Sequence, residues 1–163
     1  MENRIGLTLA AAGLLMATTF GVLQAQTTPP MIGTTLSLSS HQVQRGRSVR
    51  ASVVLEVPSG YHVNAHEPIS RFALPTKLEV EAPSGIKVGR IFYPKAIARR
   101  FTFSEDRLGV YEHRVAITFT FTVLQTQPPG KVEIKCRLSY QSCSDEVCFP
   151  PATRELSVGL MIT

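Results

Sequence analysis

From residue 34 onward, hydrophobic and polar positions alternate along much of the chain. Val115, Ile117, Phe119, Phe121 and Val123 are interleaved with Ala116, Thr118, Thr120 and Thr122. Val132, Ile134, Cys136, Leu138 and Tyr140 are interleaved with Glu133, Lys135, Arg137 and Ser139. Ala51, Val53, Leu55 and Val57 repeat the pattern, as do Leu156, Val158 and Leu160. Successive side chains of a strand point to opposite faces, so a period of two marks a half-buried strand. Weaker versions predict strands at 34–40, 61–64, 78–81 and 86–93. Pro58-Ser59-Gly60, Pro83-Ser84-Gly85 and Pro128-Pro129-Gly130 punctuate them as turns. No segment after residue 30 carries the 3.6-residue period of an amphipathic helix. The chain therefore predicts an all-β fold: an antiparallel, immunoglobulin-like β-sandwich of roughly seven or eight short strands. Residues 34–163 form one domain, preceded by a flexible lead-in at 26–33. The longest stretch without a strand pattern is 94–108, and loops of that length in a compact domain are often functional. Phe101 and Phe103 lie within it and would be exposed there unless they cover something.

The first 25 residues read as an export signal. Arg4 supplies a positive start, residues 5–23 are small and aliphatic, and Leu23-Gln24-Ala25 ends on a small residue suited to cleavage. Gly6, Thr8, Gly13, Thr18, Thr19 and Gly21 break that run and argue against a membrane span. No later apolar run is long enough to cross a bilayer. The mature product is expected outside the cytoplasm, as a soluble protein in a compartment that permits disulfides. The formal net charge is +5, yet the basic residues are scattered, so a nucleic-acid role is not expected. Arg90, Lys95, Arg99 and Arg100 form the densest basic group and read as a solvated loop or a docking patch for an acidic partner.

Three cysteines are an odd number for an exported chain. Cys136 shares parity with the apolar face of its strand and should point into the core. Cys143 and Cys148 fall beyond the end of that strand, in Tyr140-Gln141-Ser142-Cys143-Ser144-Asp145-Glu146-Val147-Cys148-Phe149-Pro150-Pro151. A bridge between them closes a short loop and stabilises by only about 2 kcal/mol. A staple has no need of a polar edge, whereas a redox pair must let a partner's thiolate reach one sulfur in line. The spacing alone leaves both readings open. Zinc would need about four ligands, and His62 and His66 lie about 13 Å apart if extended, so no metal is expected.

The cysteine segment resembles the active-site segment of the N-terminal periplasmic domain of DsbD-type thiol:disulfide interchange proteins. Tyr140, Gln141, Cys143, Cys148, Phe149, Pro150, Pro151 and Thr153 match its pattern of Tyr-Gln-x-Cys, a short linker and Cys-aromatic-Pro-Pro-x-Thr. Gly60-Tyr61-His62-Val63-Asn64 resembles a family strand beneath the active site. Val110-Tyr111-Glu112-His113-Arg114-Val115 resembles the strand that follows the family's cap loop. The likeness spans about residues 35–160.

That resemblance implies an immunoglobulin-like fold and a relay of electrons by thiol–disulfide exchange, as a protein-disulfide reductase component without a cofactor. It implies thioredoxin-fold acceptors, among them factors of cytochrome c biogenesis. It implies a membrane-embedded reductant, here expected to be a separate protein; one intermolecular contact at a time suits a monomer. Cys148 would form the intermolecular disulfide and Cys143 would resolve it. His62 and Asn64 stand where well-known members have two tyrosines, and His62 could accept a proton or favour the thiolate as a cation. Phe101 or Phe103 is the candidate shielding aromatic, and Tyr140 reads as the end of a core strand more than a substrate contact. The competing expectation is an exported immunoglobulin-like binding domain with a purely structural Cys143–Cys148 disulfide; a metal-handling protein is a third.

Overall fold

The computed structural model describes residues 28–163; the segment read as an export signal lies outside them. The strands are β1 (Gly33–Leu38), β2 (Gln42–Val43), β3 (Ser48–Glu56), β4 (His62–Asn64), β5 (Lys77–Glu81) and β6 (Ile86–Phe92), then β7 (Ile97–Phe101), β8 (Ser104–Tyr111), β9 (Arg114–Val123), β10 (Gly130–Tyr140), β11 (Ser142–Cys143) and β12 (Ala152–Ile162). They hydrogen-bond into three sheets, ordered β1-β3-β9-β6, β2-β12-β10-β5 and β11-β4-β8-β7. All pairings are antiparallel except that of β2 with β12.

The alternation read from the sequence is the alternation of burial. In β3, Val49, Ala51, Val53 and Leu55 face inward; in β9, Val115, Ile117, Phe119, Phe121 and Val123 do; in β10, Ile134, Cys136, Leu138 and Tyr140 do. These positions join Leu160 and Ile162 of β12 in one continuous core. Each large side chain removed from water there is worth about 1.5–3 kcal/mol before chain entropy is counted. Ile32, just ahead of β1, is also buried in this core.

The described residues form twelve strands where seven or eight were expected, because short pieces such as β2, β4 and β11 carry too few residues to show a period, and two further expectations about local structure are overturned. Residues 94–108 are not an unstructured loop: they carry β7 and most of β8, which pair as a hairpin with Ile97 opposite Val110 and Phe101 opposite Ser104. The periodicity missed them for a physical reason. In β7 only Phe101 is buried, and in β8 the first half is exposed while Leu108, Gly109, Val110 and Tyr111 are all buried. A strand wet on both faces and one dry on both faces equally lack a period of two. Residues 110–115 are not one strand either. The chain leaves the third sheet at Tyr111 and enters the first at Arg114, turning at His113 with φ of 58°, a region that histidine tolerates better than most residues.

Candidate active site

Past Tyr140 the chain leaves β10 and adds β11 to the third sheet, where Ser142 pairs with Val63 and Cys143 with His62. It then folds back on itself. Ser144 N–H donates to Val147 O at 2.8 Å, and Phe149 N–H donates to Ser142 O at 2.9 Å. The Ser144 hydroxyl accepts from the N–H groups of Glu146 and Val147, both at 3.2 Å, a side-chain cap that holds the tight turn. This places Cys143 and Cys148 directly across from each other, joined by a disulfide with Cα atoms 4.0 Å apart. Pro150 and Pro151 follow, with no N–H to extend the pairing, and β12 begins at Ala152.

The two sulfur-bearing residues sit in different environments. Cys143 is fully enclosed, at 0% exposure. Cys148 is half-buried and lines a groove of about 430 Å³ together with Asn64, Gln141, Phe103 and Phe72. Cys136 faces the core, as its parity predicts, and burial pushes its thiol up to about 11.

His62 and Asn64 are both buried, two apart on β4. Residues opposite in an antiparallel pair present their side chains on one face, so His62 adjoins Cys143. Its outer ring face is covered by Phe101, with centroids 4.0 Å apart and planes 17° from parallel. Phe101 in turn stacks on Phe103 at 5.3 Å. Phe101 is the buried ring, while Phe103 is 38% exposed and faces the groove. His62 Nε2 and Asn64 Oδ1 have no hydrogen-bond partner among the described residues. Burial lowers the His62 pKa from its ordinary 6.5; Asp145 and Glu112 pull it back up, and Arg99 adds to the lowering. The net shift favours the neutral ring over the cation.

Asn64 carries a tie that sequence reasoning missed. Its Nδ2 donates to Gln141 Oε1 at 3.1 Å, and Gln141 Nε2 donates to Phe149 O at 3.0 Å. Gln141 thus clamps β4 to the far arm of the cysteine hairpin; the signal was its place in the Tyr-Gln-x-Cys motif. A second tie is Thr102, at the tip of the β7–β8 hairpin, whose Oγ1 donates to Asp145 O at 2.9 Å. No periodicity could have found it, because the two residues are 43 positions apart. Tyr140 is buried at the end of β10 in the main core.

The basic group splits. Arg99 and Arg100 join Arg107 and Asp145 around a concavity of about 550 Å³ beside the cap hairpin, with Arg99 paired to Glu112 at 3.0 Å. Arg90 and Lys95 line a separate groove with His66 and Tyr93. Among the described residues, no group of three or more His, Cys, Asp or Glu side chains is arranged to hold a metal ion, and no helix is long and apolar enough to cross a membrane.

Comparison with known proteins follows this geometry. The chain is similar to the reduced N-terminal domain of DsbD from Neisseria meningitidis, at 20% identity and a TM-score of 0.46, over 68% of this chain and 77% of that one. It is similar to the N-terminal periplasmic domain of ScsB from Proteus mirabilis, at 12% identity and a TM-score of 0.51, over 77% of this chain and 44% of that one; at this identity the likeness is one of fold. No curated protein matches. Residues 36–160 match the family described as thiol:disulfide interchange protein DsbD, N-terminal. An immunoglobulin-like domain carrying a cysteine pair on its third sheet, matched over most of its length, belongs to the family of DsbD N-terminal thiol:disulfide interchange domains.

Proposed function

We propose that this chain is a periplasmic electron relay, taking two electrons from a membrane-embedded reductant and passing them to thioredoxin-fold acceptors through Cys143 and Cys148. The observation that carries the reading is the asymmetry of the pair: Cys143 is enclosed, whereas Cys148 is half-buried and lines a groove. In the reduced domain the Cys148 thiolate attacks one sulfur of the acceptor disulfide, and the acceptor's other sulfur leaves as a thiolate. Cys143 gives up its proton and attacks Cys148, releasing the acceptor as a dithiol and leaving the Cys143–Cys148 disulfide. Two electrons have then moved, and the donor must restore the pair. Neutral His62, opposite Cys143 with Nε2 free, is the proton acceptor assigned to the resolving step. Asn64 positions the hairpin through Gln141, Phe101 covers His62 on the Cys143 side, Phe103 borders the groove at Cys148, and Tyr140 anchors the strand that delivers the pair. Export is supported by the signal-like N-terminus, and one contact at a time suits a monomer.

The test is the reduction potential of the pair together with trapping by the two single variants. A potential of about −180 to −270 mV lies in the range of working oxidoreductases. In that case Cys143→Ser should accumulate a mixed disulfide with an oxidised thioredoxin-fold protein, and Cys148→Ser should not. A potential below about −300 mV, with no trapping by either variant, would leave an immunoglobulin-like binding domain with a structural bridge.

A further inference from the structure

The groove that exposes Cys148 has walls the exchange chemistry does not require. One wall is the segment 67–74. It is tied to β8 by Gly109, whose N–H donates to Pro68 O at 2.8 Å, while the Gly109 carbonyl accepts from Ala65 N–H, just ahead of the segment, at 2.9 Å. A Cβ at Gly109 would stand 2.7 Å from Glu67 O, so only glycine allows this approach. Within the segment Ile69 is held at φ of 70°, an outlier for a β-branched residue. The segment raises Phe72 into solvent at 78% exposure, at the edge of the groove. The other wall is the cap hairpin, which contributes Phe103, Glu105 and Asp106.

The charge is as specific as the shape. The chain is net positive, yet the charged residues that line this groove, Glu105 and Asp106, are both acidic. The hairpin's cations Arg99, Arg100 and Arg107 line the separate concavity beside Asp145, and Arg71 stacks over the Phe72 ring at 4.7 Å. Two exposed aromatic faces and a local acidic rim thus converge on the accessible sulfur.

We propose that this groove reads the acceptor: it takes an extended segment beside the acceptor's disulfide, seating an apolar side chain against Phe72 and Phe103 and a lysine or arginine against Glu105 and Asp106. The inference rests on the relay reading for its chemistry and adds the class of protein segment that the relay selects. A covalent exchange needs only brief residence, so the groove supplies orientation and electrostatic steering more than lasting affinity.

The test measures single-turnover reduction of three disulfides by the pre-reduced protein at low salt. One is bis(2-hydroxyethyl) disulfide, the reference. The others are two short peptides, each with one internal disulfide and a neighbouring leucine, one with lysine and one with glutamate beside it. Normalised to the reference, the lysine peptide should react about tenfold faster than the glutamate peptide, a gap that salt narrows. Glu105→Gln with Asp106→Asn should shrink that gap to about twofold, and Phe72→Ala should lower both peptide-to-reference ratios. Equal rates for the two peptides, or a gap untouched by the double variant, would overturn the groove while turnover of the reference kept the relay. Failure to reduce the reference as well would sink the relay reading and the groove with it.

Discussion

His62 and Phe101 lie ring on ring, 4.0 Å between centroids, and the covered imidazole stands opposite Cys143 in the β4–β11 register. A residue of the β7–β8 hairpin, a buried imidazole and the enclosed cysteine paired across from it thus lie together. They come from three stretches of chain, and each has a consequence that can be measured.

The stack predicts how stability depends on pH. Burial holds the folded pKa of His62 below 6.5, so between those values the unfolded chain binds more protons than the folded one. Stability from this group is then fully present above pH 6.5 and is lost as pH falls through the folded pKa. Thermal unfolding should show Tm dropping as pH is lowered from 7 to 5. His62→Phe should flatten that slope, since it removes both the titration and the orphaned Nε2. An unchanged slope in the variant would place the acid sensitivity elsewhere.

Removing the cover should cost both stability and protection. Phe101 is buried against His62, Leu108 and Val110, and truncating a buried Phe typically costs about 3 kcal/mol or more. Phe101→Ala should lower the denaturation midpoint accordingly, and dithiothreitol should reduce its disulfide faster than that of the parent. A stable variant with unchanged reduction kinetics would show that Phe103 alone screens the sulfurs.

The Gln141 clamp gives a third outcome. Gln141→Ala removes the bonds to Asn64 Nδ2 and to the Phe149 carbonyl, leaving a buried amide short of a partner. Such losses cost about 1–3 kcal/mol. Hydrogen exchange should also quicken at Asn64, whose N–H donates to the Gln141 carbonyl. Loss of stability without faster exchange would mean that β4 is held by its pairing with β8.

The cysteines should separate by reactivity in the reduced protein. Cys148 borders the groove, Cys143 is enclosed, and Cys136 is a core thiol pushed up to about 11 by burial. Iodoacetamide followed by mass spectrometry should label Cys148 first, Cys143 at least about tenfold more slowly, and Cys136 only on unfolding. Early labelling of Cys136 would contradict its place in the core.

The sequence by itself determined the sandwich. Half-buried strands such as β3, β9 and β10 repeat a dry position every second residue, and that pattern needs no knowledge of partners. It also determined the inward face of Cys136 and, through the Tyr-Gln-x-Cys and Cys-Phe-Pro-Pro runs, the segment bearing the Cys143–Cys148 pair. The tertiary structure alone decided the rest. The cap was illegible because β7 is wet on both faces and the second half of β8 dry on both, so neither carries a period. Which of Phe101 and Phe103 covers His62 depends on how the hairpin folds over β4. Which sulfur is open depends on segment 67–74 and the cap leaving a groove on the Cys148 side. These are contacts between residues tens of positions apart, set by shape and burial, and a local pattern of hydrophobic and polar residues does not encode them.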